Sequence, residues 1–175
     1  QLQLSQSSAT AQHIGAAIAS ITDAITVRLI QLAEQTLGTS PVPFVWLAGG
    51  SQGRREQSVH TDQDNALLIS DTMTPEHGQY FDALSRFVCD GLDACGFVHC
   101  PGNAMASNPS WRQPLRTWLQ YVRDWTERPE PKALMLASIF FDLRPVRGDA
   151  GLFESLQEEL LTHSKANRIF IAHLV

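Results

Sequence analysis

Residues 46–70 read WLAGGSQGRREQSVHTDQDNALLIS, and the parsing of this stretch decides the fold. The apolar run that starts at Phe44 has the length of a buried strand and empties into Gly49, Gly50 and Ser51. Glycine carries no Cβ, so such a turn lets backbone N–H groups approach an anion closely. Arg54 and Arg55 follow at once, then Asp62 and Asp64, and NALLIS reads as a second strand. Two familiar phosphate loops are excluded. No lysine stands where a G-K-[ST] loop requires one, and the G-x-G-x-x-G spacing is absent.

Asp62 and Asp64 are two apart at the start of a strand, which points both side chains to one face with Cα atoms about 6.6 Å apart. Carboxylates that close raise each other's pKa unless a cation neutralises them, and an all-oxygen donor set selects Mg²⁺ or Mn²⁺ over zinc. The competing reading of the same residues is an Asx-rich turn in which Asp62 and Asn65 cap backbone amides.

Working outward, Ile14, Ile18, Ile21, Ile25, Leu29 and Leu32 recur at steps of three and four, predicting a helix over residues 10–37 that Gly38 ends. Downstream, Thr74 and Pro75 open a helix whose apolar stripe is Phe81, Leu84, Val88 and Leu92, with Gly96 as its stop. CPGNAMASNPSWRQP, residues 100–114, is a long loop, and such loops inside a compact domain often carry function. A helix is expected over residues 113–127, punctuated by Pro129 and Pro131, then a strand in SIFFDLRPV (residues 138–146) and an amphipathic helix from Gly151. Trp111, Trp118 and Trp125 recur every seven residues, the spacing of a core or docking stripe.

The 175 residues, 43% hydrophobic and 18% charged, suit one globular domain with a full core. A net charge of −5 and the lack of a Lys/Arg block argue against nucleic acid as a partner. No apolar run reaches the roughly 20 residues of a membrane span, so a soluble, cytoplasmic protein without a membrane partner is expected. Cys89, Cys95 and Cys100 lack C-x-x-C spacing and read as reduced structural thiols. The first residues carry neither an initiating Met nor a signal peptide, so the sequence reads as a piece of a longer protein.

Gly50-Ser51, ten intervening residues and Asp62-Gln63-Asp64 resemble the nucleotidyltransferase superfamily pattern of Gly-Ser, spacer and Asp-x-Asp. The fuller string GSQGRREQSVHTDQDNALL, with CPGNAMASNPSWRQPLRTW and SIFFDLRPVRGD, is similar to the nucleotidyltransferase domain related to protein-PII uridylyltransferase and glutamine synthetase adenylyltransferase. That domain occurs in bacterial signalling proteins which often carry CBS and cyclic-nucleotide-binding modules upstream. The resemblance covers residues 44–149. It implies an α/β (α+β) fold, a small mixed sheet flanked by helices. Residues 1–40 would be a helical lead-in or linker, 41–150 the catalytic core, and 151–175 the start of a C-terminal helical element. Gln63 departs from the hydrophobic residue usual between the two aspartates, suggesting an extra hydrogen-bonding layer.

The resemblance further implies transfer of a nucleoside monophosphate from a triphosphate to a hydroxyl, on a regulatory protein or a small molecule. Asp62 and Asp64 would hold Mg²⁺ or Mn²⁺, with Asp142 as the third carboxylate. Read as a strand, residues 140–144 put Phe140, Asp142 and Arg144 on one face, and a salt bridge from Asp142 to Arg54 or Arg144 is the structural alternative. Gly50, Ser51 and Arg54 would bind the terminal phosphates, with Arg55 as a second cation. Glu56 would orient Arg54, and His60 reads as an exposed loop residue. Asn108 and Arg112 are candidate substrate contacts, and Arg144 is a candidate substrate or orienting residue. A nucleotide-sensing module that transfers nothing is the rival from another functional class.

Overall fold

The computed structural model describes residues 10–127 and 140–166. The stops at Pro129 and Pro131, the first two residues of the SIFFDLRPV strand and the tail beyond residue 166 lie outside these. Helix α1 (Ala11–Leu37) starts at Thr10, whose hydroxyl accepts from His13 N–H, and ends at Gly38, φ 88°, where left-handed backbone favours glycine. Strand β1 (Phe44–Ala48) leads into the one-turn helix α2 (Gly50–Gly53). Strands β2 (Asp62–Gln63) and β3 (Asn65–Ile69) follow. A 3-10 turn at Pro75–His77, capped by Thr74, opens α3 (Gly78–Ala94), after which come β4 (Val98–His99) and β5 (Arg112–Pro114). Helix α4 (Leu115–Glu127), strand β6 (Arg144–Gly148) and helix α5 (Ala150–Ala166) complete the order.

The main sheet has the order β5-β3-β1-β6, with β1 antiparallel to both β3 and β6, and β3 parallel to β5. Alternation along the central strands sorts side chains between two cores. Phe44, Trp46, Leu67 and Ile69 face α1 and α3, joining Ile30, Phe81, Leu84 and Val88. Val45, Leu47, Ala66 and Leu68 face α4 and α5, joining Trp118, Val122, Phe153 and Leu156. The result is a mixed α/β sandwich with helices on both faces of a small sheet, as expected. Each large side chain so buried contributes about 1.5–3 kcal/mol. Trp111, Trp118 and Trp125 belong to the second core, where Trp118 stacks on Phe140 at 5.3 Å between ring centroids.

Three expectations change. The buried face of α1 is Gly15, Ile18, Ala19, Thr22, Thr26, Ile30 and Ala33, while Ile21 is 48% exposed. Threonine can line this face because its hydroxyl is satisfied within the helix: Thr22 donates to Ile18 O and Thr26 to Thr22 O. The strand expected across residues 138–146 starts only at Arg144; Phe140 and Phe141 are helical and Asp142 lies in the turn before β6. Phe140, Asp142 and Arg144 therefore do not share a strand face. Finally, α1 is long and apolar enough to cross a membrane by length and composition, contrary to the reading that no segment is. In this fold it packs on α3 and sends Asp23 and Glu34 into ion pairs with Arg144 and Arg147 of β6.

Candidate active site

The register of the β1–β3 pair brings the glycine turn and the aspartates together. Ala48 lies opposite Asn65, so the chain leaving β1 meets the chain entering β3, and Gly49 N–H donates to Asp64 O at 2.8 Å. Gly50 follows with φ 50°, and a Cβ built on it would stand 2.2 Å from Asp64 Oδ2. The Asp64 carboxylate thus rests directly against the start of α2, a place only glycine leaves open. Ser51 lies in the first turn of α2, where amides lack intrahelical partners, and its hydroxyl is 3.2 Å from that of Thr61.

Asp62 lies in β2 and Asp64 in the break before β3, rather than together at the start of one strand, yet the two converge, and a third group joins them. One ligand atom from each of Asp62, Asp64 and Cys100 lies within 4.8 Å of the others. Burial pushes the Asp64 carboxyl above the usual range; the Cys100 thiol and Arg54 oppose the rise, and the charges of Asp62 and Asp142 add to it. Burial also pushes the Cys100 thiol up. Two crowded, half-buried carboxylates, with the ionisation of Asp64 disfavoured, fit a divalent cation, which would neutralise them together. The Asx alternative holds for Asn65 only in part: its side chain does accept from a backbone amide, but that amide is Ala106 N–H across the fold rather than one in a local turn, and its own amide donates to Gln63 Oε1. Gln63 is buried and donates to Cys89 O and Phe97 O, the polar layer its position suggested.

Arg54 sits beside this group and bridges two acids. Its Nε donates to Glu56 Oε2 at 3.0 Å and its Nη1 to Asp142. These bonds hold the guanidinium in its charged form, with Glu56 as the largest influence. Glu56 is thus a partner of Arg54, in a pair whose two side chains are both exposed. Asp142 has the ion pair given above as its structural alternative, yet its charge still bears on Asp64. Backbone packing places it there: a Cβ on Gly53 would stand 2.1 Å from Asp142 O. Arg55 is exposed with φ 60°.

The other candidates serve the scaffold. Arg144 turns to α1, where Nη2 meets both oxygens of Asp23 at 2.9 Å, and it also donates to Gly53 O and Gln52 O. Arg112 is spent on Asp82, Ser85 Oγ and the carbonyls of Ala106 and Ser107. Asn108 caps the 3-10 turn at Pro109–Trp111 and donates to Asn103 O. Both brace the 100–114 loop. Sequence reasoning missed Cys100, Asp23 and Gln52. Only Cys100 gave a hint, since CPGN opens the long loop. A groove of about 230 Å³ lined by His60, Thr61, Asp62, Gly96 and Val98 opens beside Asp62.

The family model described as Putative nucleotidyltransferase DUF294 matches residues 2–132, most of the chain. No curated protein and no solved structure matches.

Proposed function

The chain belongs to the nucleotidyltransferase family DUF294, and from that premise we propose that it moves a nucleoside monophosphate from a triphosphate to a hydroxyl acceptor. The acceptor class we favour is a regulatory protein, as for protein-PII uridylyltransferase. The observation that carries the reading is the seat of Asp64: Gly50 is shaped around its carboxylate, with Asp62 alongside. Asp62 and Asp64 would hold Mg²⁺ or Mn²⁺, which when bound neutralises triphosphate charge and stabilises the oxygens at both ends of the displacement.

The chain's own groups supply the rest. The Gly50–Ser51 turn and the Ser51 hydroxyl bind terminal phosphate oxygens, and Arg54, 46% exposed, presents a planar donor to the same oxygens. Asp142, paired with Arg54, would take the acceptor side and favour loss of its proton. The acceptor oxygen bonds to the α-phosphorus as the bond to the bridging oxygen breaks, and pyrophosphate leaves. Arg112 and Asn108, committed to the loop, take no part in binding substrate.

The Arg54–Asp142 pair also favours a second reading, a nucleotide-sensing module, because it occupies the third carboxylate with a structural partner. Thermal shift with four nucleoside triphosphates, with and without Mg²⁺, followed by mass spectrometry of candidate acceptors, tests both. Transfer to a protein supports the proposal. Mg²⁺-dependent binding without transfer to any protein or small molecule in a cell extract replaces it with the sensor. Asp142→Asn is the decisive variant: nucleotide affinity within about tenfold of wild type with transfer abolished marks Asp142 as catalytic.

A further inference from the structure

We propose that Cys100 is a sulfur ligand of the cation centre at Asp62 and Asp64, which therefore takes thiophilic divalent cations of the Zn²⁺, Co²⁺ and Cd²⁺ class as well as hard ones. The inference rests on the reading of the two aspartates as a cation site and adds a donor that the Asp-x-Asp pattern does not contain.

Strand pairing puts the thiol there. β2 and β4 run parallel with Asp62 opposite Val98 and Gln63 opposite His99, so the next step along both chains sets Asp64 beside Cys100. Gln63 fixes the start of β4 through Phe97 O, and Asn65 N–H donates to Ala104 O, closing the loop over β3 from the other end. Cys100 itself is held by both backbone groups, its N–H donating to Met105 Sδ at 3.4 Å and its carbonyl accepting from Asn103 N–H at 2.9 Å. The other thiols are placed otherwise. Cys89 is buried against Asn65 Oδ1, and Cys95 is exposed at the end of α3.

Two carboxylates and one thiolate make three protein ligands, the number that leaves a tetrahedral cation one open position for water or a phosphate oxygen. A sulfur donor shifts preference toward softer cations, whereas Mg²⁺ requires oxygen ligands and leaves Cys100 as a bystander. When the metal–sulfur bond forms, the thiol proton passes to solvent; no oxidant or reductant enters. One pocket thus has two alternative occupants, and a thiophilic cation excludes the hard one.

The test uses the 175-residue chain in a non-thiol reductant. Co²⁺ should give a sulfur-to-metal charge-transfer band in wild type and in Cys95→Ser, and none in Cys100→Ser. Zn²⁺ should slow alkylation of Cys100 by iodoacetamide at least about tenfold, read peptide by peptide by mass spectrometry, while Mg²⁺ should not. A band that survives Cys100→Ser, or alkylation of Cys100 that ignores Zn²⁺, overturns the proposal; the alkylation result decides alone if the serine variant does not fold. Mg²⁺-dependent binding of nucleoside triphosphate is measured separately. Nucleotide binding without metal–sulfur contact defeats this inference only. The contact without nucleotide binding defeats the nucleotidyltransferase reading only.

Discussion

Arg144 of β6 reaches across to α1 and sets one guanidinium nitrogen 2.9 Å from each oxygen of Asp23. Asp23 also accepts from Gln52 Nε2 at 2.9 Å, so a single carboxylate ties α1, α2 and β6 at the back of the glycine turn. The N-terminal helix is thus part of the site's scaffold.

Both side chains of this pair are more than three-quarters buried. Asp23→Leu should cost about 2–4 kcal/mol, because it leaves a largely desolvated guanidinium without its anion. The double variant Asp23→Leu/Arg144→Met should recover part of that loss. Urea unfolding of the two single variants and the double gives the coupling energy, expected to be at least about 1 kcal/mol. Additive effects would mean that the contact contributes nothing to stability.

Asp64 supplies a prediction of opposite sign. Its ionisation is disfavoured by burial and by neighbouring carboxylates, so Asp64→Asn should stabilise the metal-free protein at neutral pH by about 1 kcal/mol, or roughly 2–4 °C in Tm. The same change should abolish Mg²⁺-dependent stabilisation by nucleoside triphosphate. Calorimetry with and without Mg²⁺ reads both, and a destabilised metal-free variant would mark Asp64 as a structural acceptor.

Local pattern made β1, β3 and α3 legible, because their apolar periods match the faces they bury. The meeting of Gly50 with Asp64 follows from the antiparallel pairing of β1 with β3, which the pattern of apolar residues does not specify. What escaped depends on contacts that no period records. Buried Thr22 and Thr26 rotate the packed face of α1 away from its isoleucine stripe, since the helix's own carbonyls satisfy their hydroxyls. Cys100 reaches Asp64 through the two-residue parallel pairing of β2 with β4 and the lacing of Asn65 to Ala104 and Ala106. Arg112 looked available in a functional loop but is consumed by holding that loop to α3.

That last contact predicts a pH dependence. The Arg86 guanidinium foremost, with Arg112, holds the Asp82 carboxyl below the usual carboxylate range. A carboxyl depressed in the folded state contributes stability above its unfolded pKa and loses it as pH falls through the folded value. Asp82 is 39% exposed, so solvent screening limits the effect, and Asp82→Asn should cost only about 0.5–1 kcal/mol near neutral pH. The difference from wild type should vanish in acid. A difference that persists below the carboxylate range would assign the loss to packing.

Gly50 gives the strictest prediction, because two independent constraints act on one Cβ. Its φ of 50° is left-handed backbone, which costs a non-glycine residue about 1–2 kcal/mol. The added methyl would also meet Asp64 Oδ2 at 2.2 Å, a distance that can be relieved only if the carboxylate leaves its present seat. The strain is bounded and the fold should survive, with urea unfolding showing a loss of about 1–2 kcal/mol in Gly50→Ala. Mg²⁺-dependent stabilisation by nucleoside triphosphate should disappear, because the two carboxylates no longer converge. Gly38→Ala is the control: its φ is 88° but no atom lies within 4 Å of the added Cβ. It should lose similar stability and keep nucleotide binding. Loss of binding in both variants would trace the effect to general destabilisation, and retention in both would show that the seat of Asp64 beside Gly50 does not matter for the ligand.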